Sequence, residues 1–197
     1  MIAHELRQPL GAIESIAYYL NLVLPPGEGL AREHAARLQQ LVEQSSWILN
    51  CGLQIADETP LAPVPLDIEQ LIAQTIAART SQGHPQPLLE LSRDLPLVRL
   101  DPRRGRALIE NLLALMAQVA GGAHPVRLRT AVTDTAQAGG LLLEISTAVP
   151  GYLSESGLGS GSALSLECAR RVVEAHGGSL SVDVDPASGI RLRAVLP

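Results

Sequence analysis

Apolar residues recur at helical spacing over the first quarter of the chain. In the first segment the apolar positions are separated by steps of four and three residues, which predicts an amphipathic helix. These positions are Leu6, Leu10, Ile13, Ala17, Leu20 and Leu24. Pro25, Pro26 and Gly27 end this helix, and similar spacing predicts a second helix over about 31–56. The pattern therefore predicts a helical hairpin.

A hairpin of two helices cannot enclose a core by itself, because each helix finds only one partner within it. The apolar seams therefore predict pairing with a second copy of the chain into a four-helix bundle. We expect a homodimer formed through this hairpin, which occupies residues 1–58.

A linker is predicted over 59–65, where three prolines interrupt the helical period. From 66 to 197 helical and strand patterns alternate. Helices are predicted at 68–76, 102–119 and 163–176, and extended segments at 88–91, 97–100, 126–132, 141–146, 180–184 and 190–194. The predicted fold class is α+β, with a helical hairpin followed by an α/β sandwich whose helices cover one face of a mixed sheet.

Two short motifs predict helix ends in the sandwich. Asp101 followed by Pro102 is typical of a cap and a first-turn residue. Gly177 and Gly178 follow the last predicted helix, and glycine tolerates the left-handed conformation that closes many helices.

Composition excludes several classes of function. The net charge is −5 and no basic run is present, which argues against nucleic-acid binding. No apolar run reaches the ~18 residues of a membrane helix, and no signal peptide is visible. Cys51 and Cys168 lie far apart, so we expect neither a zinc site nor a disulfide, and a cytoplasmic location. All 15 basic residues are Arg, which excludes a Walker A phosphate loop.

His4 is the candidate nucleophile of the first helix. It lies about 200° around the helix from Leu6, off the apolar seam, on the face shared with Arg7, Gln8, Gly11 and Ser15. An exposed neutral imidazole is a competent nucleophile towards phosphorus. The alternative is that the helix begins at Pro9, which would leave His4 in a frayed tail.

The string from His4 to Ile13, HELRQPLGAI, resembles the phosphoacceptor box of sensor histidine kinases. This resemblance implies that His4 is the phosphorylated residue and Glu5 its acid-base partner. Gln8 matches a position used in dephosphorylating the partner protein. The family's order, a dimerising hairpin and then an ATP-binding sandwich, covers nearly all of this chain.

The second half resembles the family's catalytic domain at 101–119 and at 161–178, where RRVVEAHGG is nearly typical. In the family's asparagine box the second Asn holds magnesium. Asn111 keeps the first Asn of this box, but Leu115 takes the place of the second. Leucine offers no oxygen to a magnesium ion. His176 occupies a helix-end position of the family, which favours a structural role over a second catalytic one.

The other nucleotide boxes also depart from the family's pattern. Thr147 replaces the Asp that accepts a hydrogen bond from adenine, while Gly151 is kept. In the glycine box Gly161 remains, but Ala163 and Ser165 stand where glycines let backbone amides reach phosphate. We therefore expect no bound ATP and no resident metal, because magnesium, adenine and phosphate contacts are all weakened.

The leading hypothesis is a phosphorelay protein that carries a phosphoryl group on His4 and exchanges it with receiver domains of response regulators. The receiver would supply the magnesium ion. One alternative is an ATP-dependent sensor kinase core with a divergent nucleotide site, which would need ATP and magnesium. Another is a scaffold that binds receivers and transfers nothing.

Overall fold

The structure is a computed structural model that describes residues 2–25, 27–93, 95–133, 140–149, 160–185 and 187–197. Within these ranges, the side chains of residues 2–4, 43 and 160–162 lie outside the description. The chain divides into two compact units, Met1–Asp57 and Glu58–Pro197. The fold class is α+β, as the sequence predicts.

The first unit is a hairpin of two long helices. Helix α1 spans Ile2–Val23 and helix α2 spans Gly29–Ala56. Helix α1 continues through Pro9, so the alternative of a helix that begins at Pro9 is wrong. A proline this near a helix start removes a single backbone hydrogen bond, a loss that the rest of a 22-residue helix tolerates.

Polar side chains fix the register of the hairpin. Arg7 Nη2 donates to Asn50 Oδ1 at 2.7 Å, and Asn21 Nδ2 donates to Gln39 Oε1 at 2.7 Å. At the turn, Arg32 donates twice to the carbonyl of Leu24, at 2.6 and 3.1 Å. These bonds show that α1 and α2 run antiparallel.

Small side chains form most of the hairpin interior. The buried apolar residues are Ala17, Ala35, Val42 and Cys51. Larger apolar residues of both helices are exposed in the single chain, and they include Leu6, Ile13, Ile16, Leu38, Leu41 and Ile48. The hairpin alone therefore leaves much apolar surface in water.

The second unit contains three helices and seven strands among its described residues. The helices are α3 Ile68–Ser81, α4 Pro102–Ala120 and α5 Ser160–Ala175. The strands are β1 Val64–Leu66, β2 Leu88–Glu90, β3 Val98–Leu100, β4 Val126–Thr133, β5 Gly140–Thr147, β6 Ser179–Asp185 and β7 Gly189–Leu196.

Five of these strands form a mixed sheet in the order β2-β4-β5-β7-β6. Strand β2 is parallel to β4, and the other neighbours are antiparallel. The last two extended segments predicted from the sequence are strands that pair with each other, with Val182 opposite Leu192 and Val184 opposite Ile190. The three helices and the inner face of the sheet share one apolar core, to which Ile72, Leu112, Leu143 and Leu192 contribute.

Strand β1 begins inside the segment predicted as a linker. It pairs with β3 in a separate two-stranded sheet, with Val64 opposite Leu100 and Leu66 opposite Val98. The prolines that suggested a linker are compatible with a strand at a sheet edge, where an N–H group can be spared.

The two predicted helix ends are present, with one correction. Asp101 caps α4 by accepting from the amides of Arg103 and Arg104, and Pro102 is the first helical residue. Gly177 has a φ of 77°, in the left-handed region. Gly178 serves a different purpose, because a Cβ there would collide with the carbonyl oxygen of Val195.

Candidate functional site

The segment that resembles a phosphoacceptor box lies in the first turns of α1. The backbone of His4 is helical, while its side chain lies outside the described residues. The side chains of Glu5 and Gln8 are exposed. The helical backbone places His4 on the same stripe of α1 as Gln8, Gly11 and Ser15, while the orientation of its imidazole stays a prediction.

Two local bonds hold the helix around this stripe. Ser15 donates its hydroxyl to the carbonyl of Gly11 at 2.8 Å. Arg7, which the sequence places on the same face, instead turns its side chain to Asn50 of α2. A helical segment fixed by its neighbour can present its side chains to a partner in one orientation.

Helix α4 carries the positions that the resemblance assigns to magnesium. Asn111 is fully buried, and Leu115, one turn later, is 1% exposed and part of the apolar core of the sandwich. The residue at the second Asn position therefore packs among hydrocarbon. An ion that needs oxygen ligands finds none on the Leu115 side chain.

Thr147 ends β5 and is buried. Its hydroxyl donates to the carbonyl of Pro125 at 3.1 Å, just before the neighbouring strand β4. The side chain at the position of the family's adenine-binding carboxylate is thus used to join two strands. Gly151, which follows, lies outside the described residues.

The remaining nucleotide-box positions lie in the first turns of α5. Gly161 is helical, and Ala163 is exposed in the same turn. Ser165 is 1% exposed. Helices α4 and α5, which carry these positions, pack directly on each other.

Three charged residues that sequence reasoning missed lie on α3 and α4, close enough to influence one another's ionisation. Burial raises the pKa of Glu110, while the positive charges of Arg106 and Arg79 act in the opposite direction. Burial also lowers the pKa of Arg79, against the influence of Glu110. Perturbed groups often mark functional sites, but here burial is the first cause of both shifts, so packing of α3 on α4 explains them.

His176 has a structural position, as its place at a helix end suggests. Its Nε2 accepts from the backbone N–H of Asp101 at 3.1 Å, and its Nδ1 lies 2.7 Å from the carbonyl oxygen of Val172. Since a carbonyl only accepts and an amide only donates, the proton resides on Nδ1. The ring thereby connects the end of α5 to the start of α4.

An open groove of about 520 Å³ lies on the sheet and was also missed. Arg193 bonds to Glu144 at 3.0 Å and to Asp183 at 2.7 Å, and Arg191 Nε lies 3.6 Å from Glu144. Alternation along β5, β6 and β7 places these charges on one face, a signal that the sequence does contain. These charges form ion pairs across the three strands, while Arg191 Nε, which is buried, has no hydrogen-bond partner among the residues that the structure describes.

Two further observations concern metals and membranes. Within the described ranges, no three His, Cys, Asp or Glu side chains lie together as a metal site requires. None of the described helices combines the length and the hydropathy of a membrane span.

Comparison with curated proteins gives two relatives. The sensor histidine kinases ZraS of Escherichia coli O157:H7 and of Escherichia coli strain K12 are 24% and 25% identical over 209 residues. Each match covers 100% of this chain and 44% of the relative, so the chain spans less than half the length of these relatives. No family model matches the chain.

Comparison with solved structures shows the fold. Full-length ShkA in complex with AMPPNP has a TM-score of 0.62 at 21% identity, covering 100% of this chain and 44% of that one. Histidine kinase ThkA in complex with response regulator protein TrrA has a TM-score of 0.63 at 17% identity, covering 100% and 59%. Acinetobacter baumannii histidine kinase AdeS has a TM-score of 0.55 at 18% identity, covering 98% and 96%.

Proposed function

We propose that this chain, which has the fold of a sensor histidine kinase core and resembles that family over its whole length, is a phosphorelay protein. It carries a phosphoryl group on His4 and exchanges it with aspartates of receiver domains, without using ATP. The observation that carries the proposal is a contrast between the two units. The phosphoacceptor string is intact on α1, whereas the magnesium position of the sandwich holds Leu115, a core residue.

The transfer requires little from the protein beyond the imidazole and a proton acceptor. The unprotonated ring nitrogen of His4 attacks phosphorus of the receiver's aspartyl phosphate. The N–P bond forms as the P–O bond to the receiver breaks, and the aspartate leaves as a carboxylate. Glu5, next in the chain and exposed, takes the proton from the other ring nitrogen. A magnesium ion bound by the receiver would neutralise charge on the phosphoryl oxygens.

The state of the nucleotide boxes supports transfer without ATP. Leu115 supplies no ligand to magnesium, and the Thr147 hydroxyl is engaged with Pro125. Each lost contact to a bound nucleotide costs about 1–3 kcal/mol, so several losses together reduce affinity by orders of magnitude. A receiver that already holds a phosphoryl group needs none of these contacts.

Receiver domains are the proposed partners, and a second copy of the chain completes the hairpin. ThkA, whose structure resembles this chain, was solved in complex with a response regulator, which supports a partner of that class. The exposed Leu6, Ile13, Leu38 and Leu41 of the hairpin support pairing with a second copy. The proposed dimer buries these side chains while the His4 stripe, on another face of α1, stays accessible.

The proposal is tested by offering the purified chain a receiver charged with radiolabelled phosphate. We expect label to move to the wild-type chain and to be acid-labile, as phosphohistidine is. The variant His4→Ala should accept no label. His34→Ala is the matched control, because His34 is an exposed histidine of α2, and it should accept label at the wild-type rate.

The same preparation decides between the proposal and its alternatives. Incubation with γ-labelled ATP and magnesium should leave the wild-type chain unlabelled, and calorimetry should detect no ATP binding at micromolar concentration. Labelling of His4 by ATP would instead identify an ATP-dependent kinase. Absence of phosphohistidine with every receiver tried would identify a scaffold.

A further inference from the structure

The segment that leaves the hairpin is joined to the sandwich before its first strand begins. Residues 57–63 have no regular secondary structure and are exposed. Strand β1 then pairs with β3, where Val64 lies opposite Leu100. Asp101 directly follows β3, which brings its side chain beside Ala62, two residues before β1.

Asp101 bonds to this segment with one of its two oxygens. The N–H of Ala62 donates to Asp101 Oδ2 at 3.0 Å. The other oxygen, Oδ1, accepts from the amides of Arg103 and Arg104 at 2.9 and 3.3 Å. The side chain therefore performs two separate tasks, capping α4 with one oxygen and holding the incoming chain with the other.

The surroundings strengthen the bond from the Ala62 amide to Asp101 relative to the exposed contact of Arg99 with the same segment. Asp101 is 1% exposed, and a hydrogen bond to a charged, buried acceptor is stronger than one between neutral groups in water. By contrast, the Arg99 guanidinium reaches the carbonyl of Pro63 at 3.5 Å in an exposed position, at the limit of hydrogen-bond range.

The backbone of Asp101 is itself held in place from the far end of α5. Its N–H donates to His176 Nε2 at 3.1 Å, and His176 is anchored in turn by the carbonyl of Val172. The carboxylate is thus positioned through its side-chain bonds and through its own amide. It is a rigid point to which a passing segment can be attached.

We propose that Asp101 is a latch that fixes where the connecting segment leaves the sandwich, so that the free tether to the hairpin is restricted to residues 57–61. If the latch opened together with β1, five more residues, 62–66, would join the tether. At about 3.3–3.6 Å per residue they would add roughly 17 Å to its reach. The latch therefore sets how far the sandwich can travel from the hairpin.

Two variants break the latch in different ways. Ala62→Pro removes the N–H donor and leaves Asp101 untouched. Asp101→Asn keeps an oxygen for the α4 cap, where Asn and Asp are equally good, but turns an NH₂ group towards the Ala62 amide. Ala62→Ser is the matched control, because it changes the same side chain and keeps the N–H.

The latch is tested by measuring the hydrogen-exchange rates of single amides by NMR on the full chain. In Ala62→Pro the amides of Val64 and Leu66 should exchange about tenfold faster or more, while those of β5 and β7 keep their wild-type rates. In Asp101→Asn, which also lowers the free energy of global unfolding, the amides of Val64 and Leu66 should be accelerated more than those of β5 and β7. Ala62→Ser should match the wild type throughout. Unchanged exchange at Val64 and Leu66 in both variants would overturn the proposal. So would equal acceleration in β5 and β7, since the bond would then support the whole sandwich rather than the tether.

Discussion

Two backbone groups of the sandwich depend on the imidazole of His176. It accepts from the amide of Asp101 and donates to the carbonyl of Val172. The variant His176→Ala leaves both groups without this partner, and we expect it to lower the free energy of unfolding by about 1–3 kcal/mol. Urea denaturation measures this loss. Glu174→Ala, an exposed change in the same helix, should cost under about 0.5 kcal/mol, and an equal loss in both variants would contradict the prediction.

Asp101 predicts a pH dependence of stability. Burial opposes its ionisation, but the amides of Ala62, Arg104 and Arg103 and the Arg103 guanidinium outweigh burial and lower its pKa. A carboxyl group whose pKa is lower in the folded than in the unfolded state stabilises the fold at pH values above its ordinary pKa, near 3.9. That contribution is lost as the pH falls from there through the lowered pKa.

The variant Asp101→Asn isolates this dependence. Above about pH 5 it should be less stable than the wild type by about 1–3 kcal/mol, since it lacks the charged acceptor. The difference should narrow as the pH falls below about 4. Unfolding free energies measured across this range test the sign, and a constant difference at every pH would refute it.

We expect that asparagine in place of Leu115 on helix α4 does not create a magnesium site. Leu115→Asn places an amide in the apolar core of the sandwich, where we expect a loss of about 2–4 kcal/mol of stability. Calorimetry should still detect no ATP. Leu115→Met, which keeps the volume, should cost under about 1.5 kcal/mol. A stable Leu115→Asn variant that binds ATP with magnesium would show that the position faces a usable site.

The elements that the sequence predicts well are those whose pattern is local. The cap of α4 needs only Asp101 and Pro102, and the β6–β7 register follows from two alternating runs across one turn. Strand β1 was not predicted because three residues around Pro65 are too few to show an alternation of apolar and polar positions. Its partner β3 also lies more than thirty residues later in the chain. Pairing at that distance depends on the whole core rather than on either segment.

The candidate site likewise has some features that the local sequence predicts and others that only the fold reveals. The phosphoacceptor string could be found because its residues are consecutive on one helix. The burial of Leu115, the bond from Thr147 to Pro125 and the link from Asp101 to Ala62 join segments far apart in the chain. Residue types alone show that Leu115 cannot hold magnesium, but only the fold shows that it supports the core.

For the whole molecule, the exposed apolar surface of the hairpin predicts a dimer that a single substitution should dissociate. Ile13 is 42% exposed in the single chain, on the side of α1 that carries the apolar seam. Ile13→Glu should convert a dimer into a monomer at micromolar concentration, because it buries a charge in the bundle. Ser15→Glu, two residues away on the outward face, should remain dimeric. Sedimentation velocity distinguishes the two, and a dimeric Ile13→Glu variant would contradict the prediction.

The five-stranded sheet of the sandwich ends on one side at β2 and on the other at β6. Strand β2 is three residues long and finishes in Glu90, while β6 carries Asp183 and Asp185, all exposed. The unpaired backbone groups of an edge strand can pair with a strand of another molecule, and short or charged edge strands reduce this pairing. The shortness of β2 and the acidic residues of β6 therefore make both edges poor templates for a strand of another molecule.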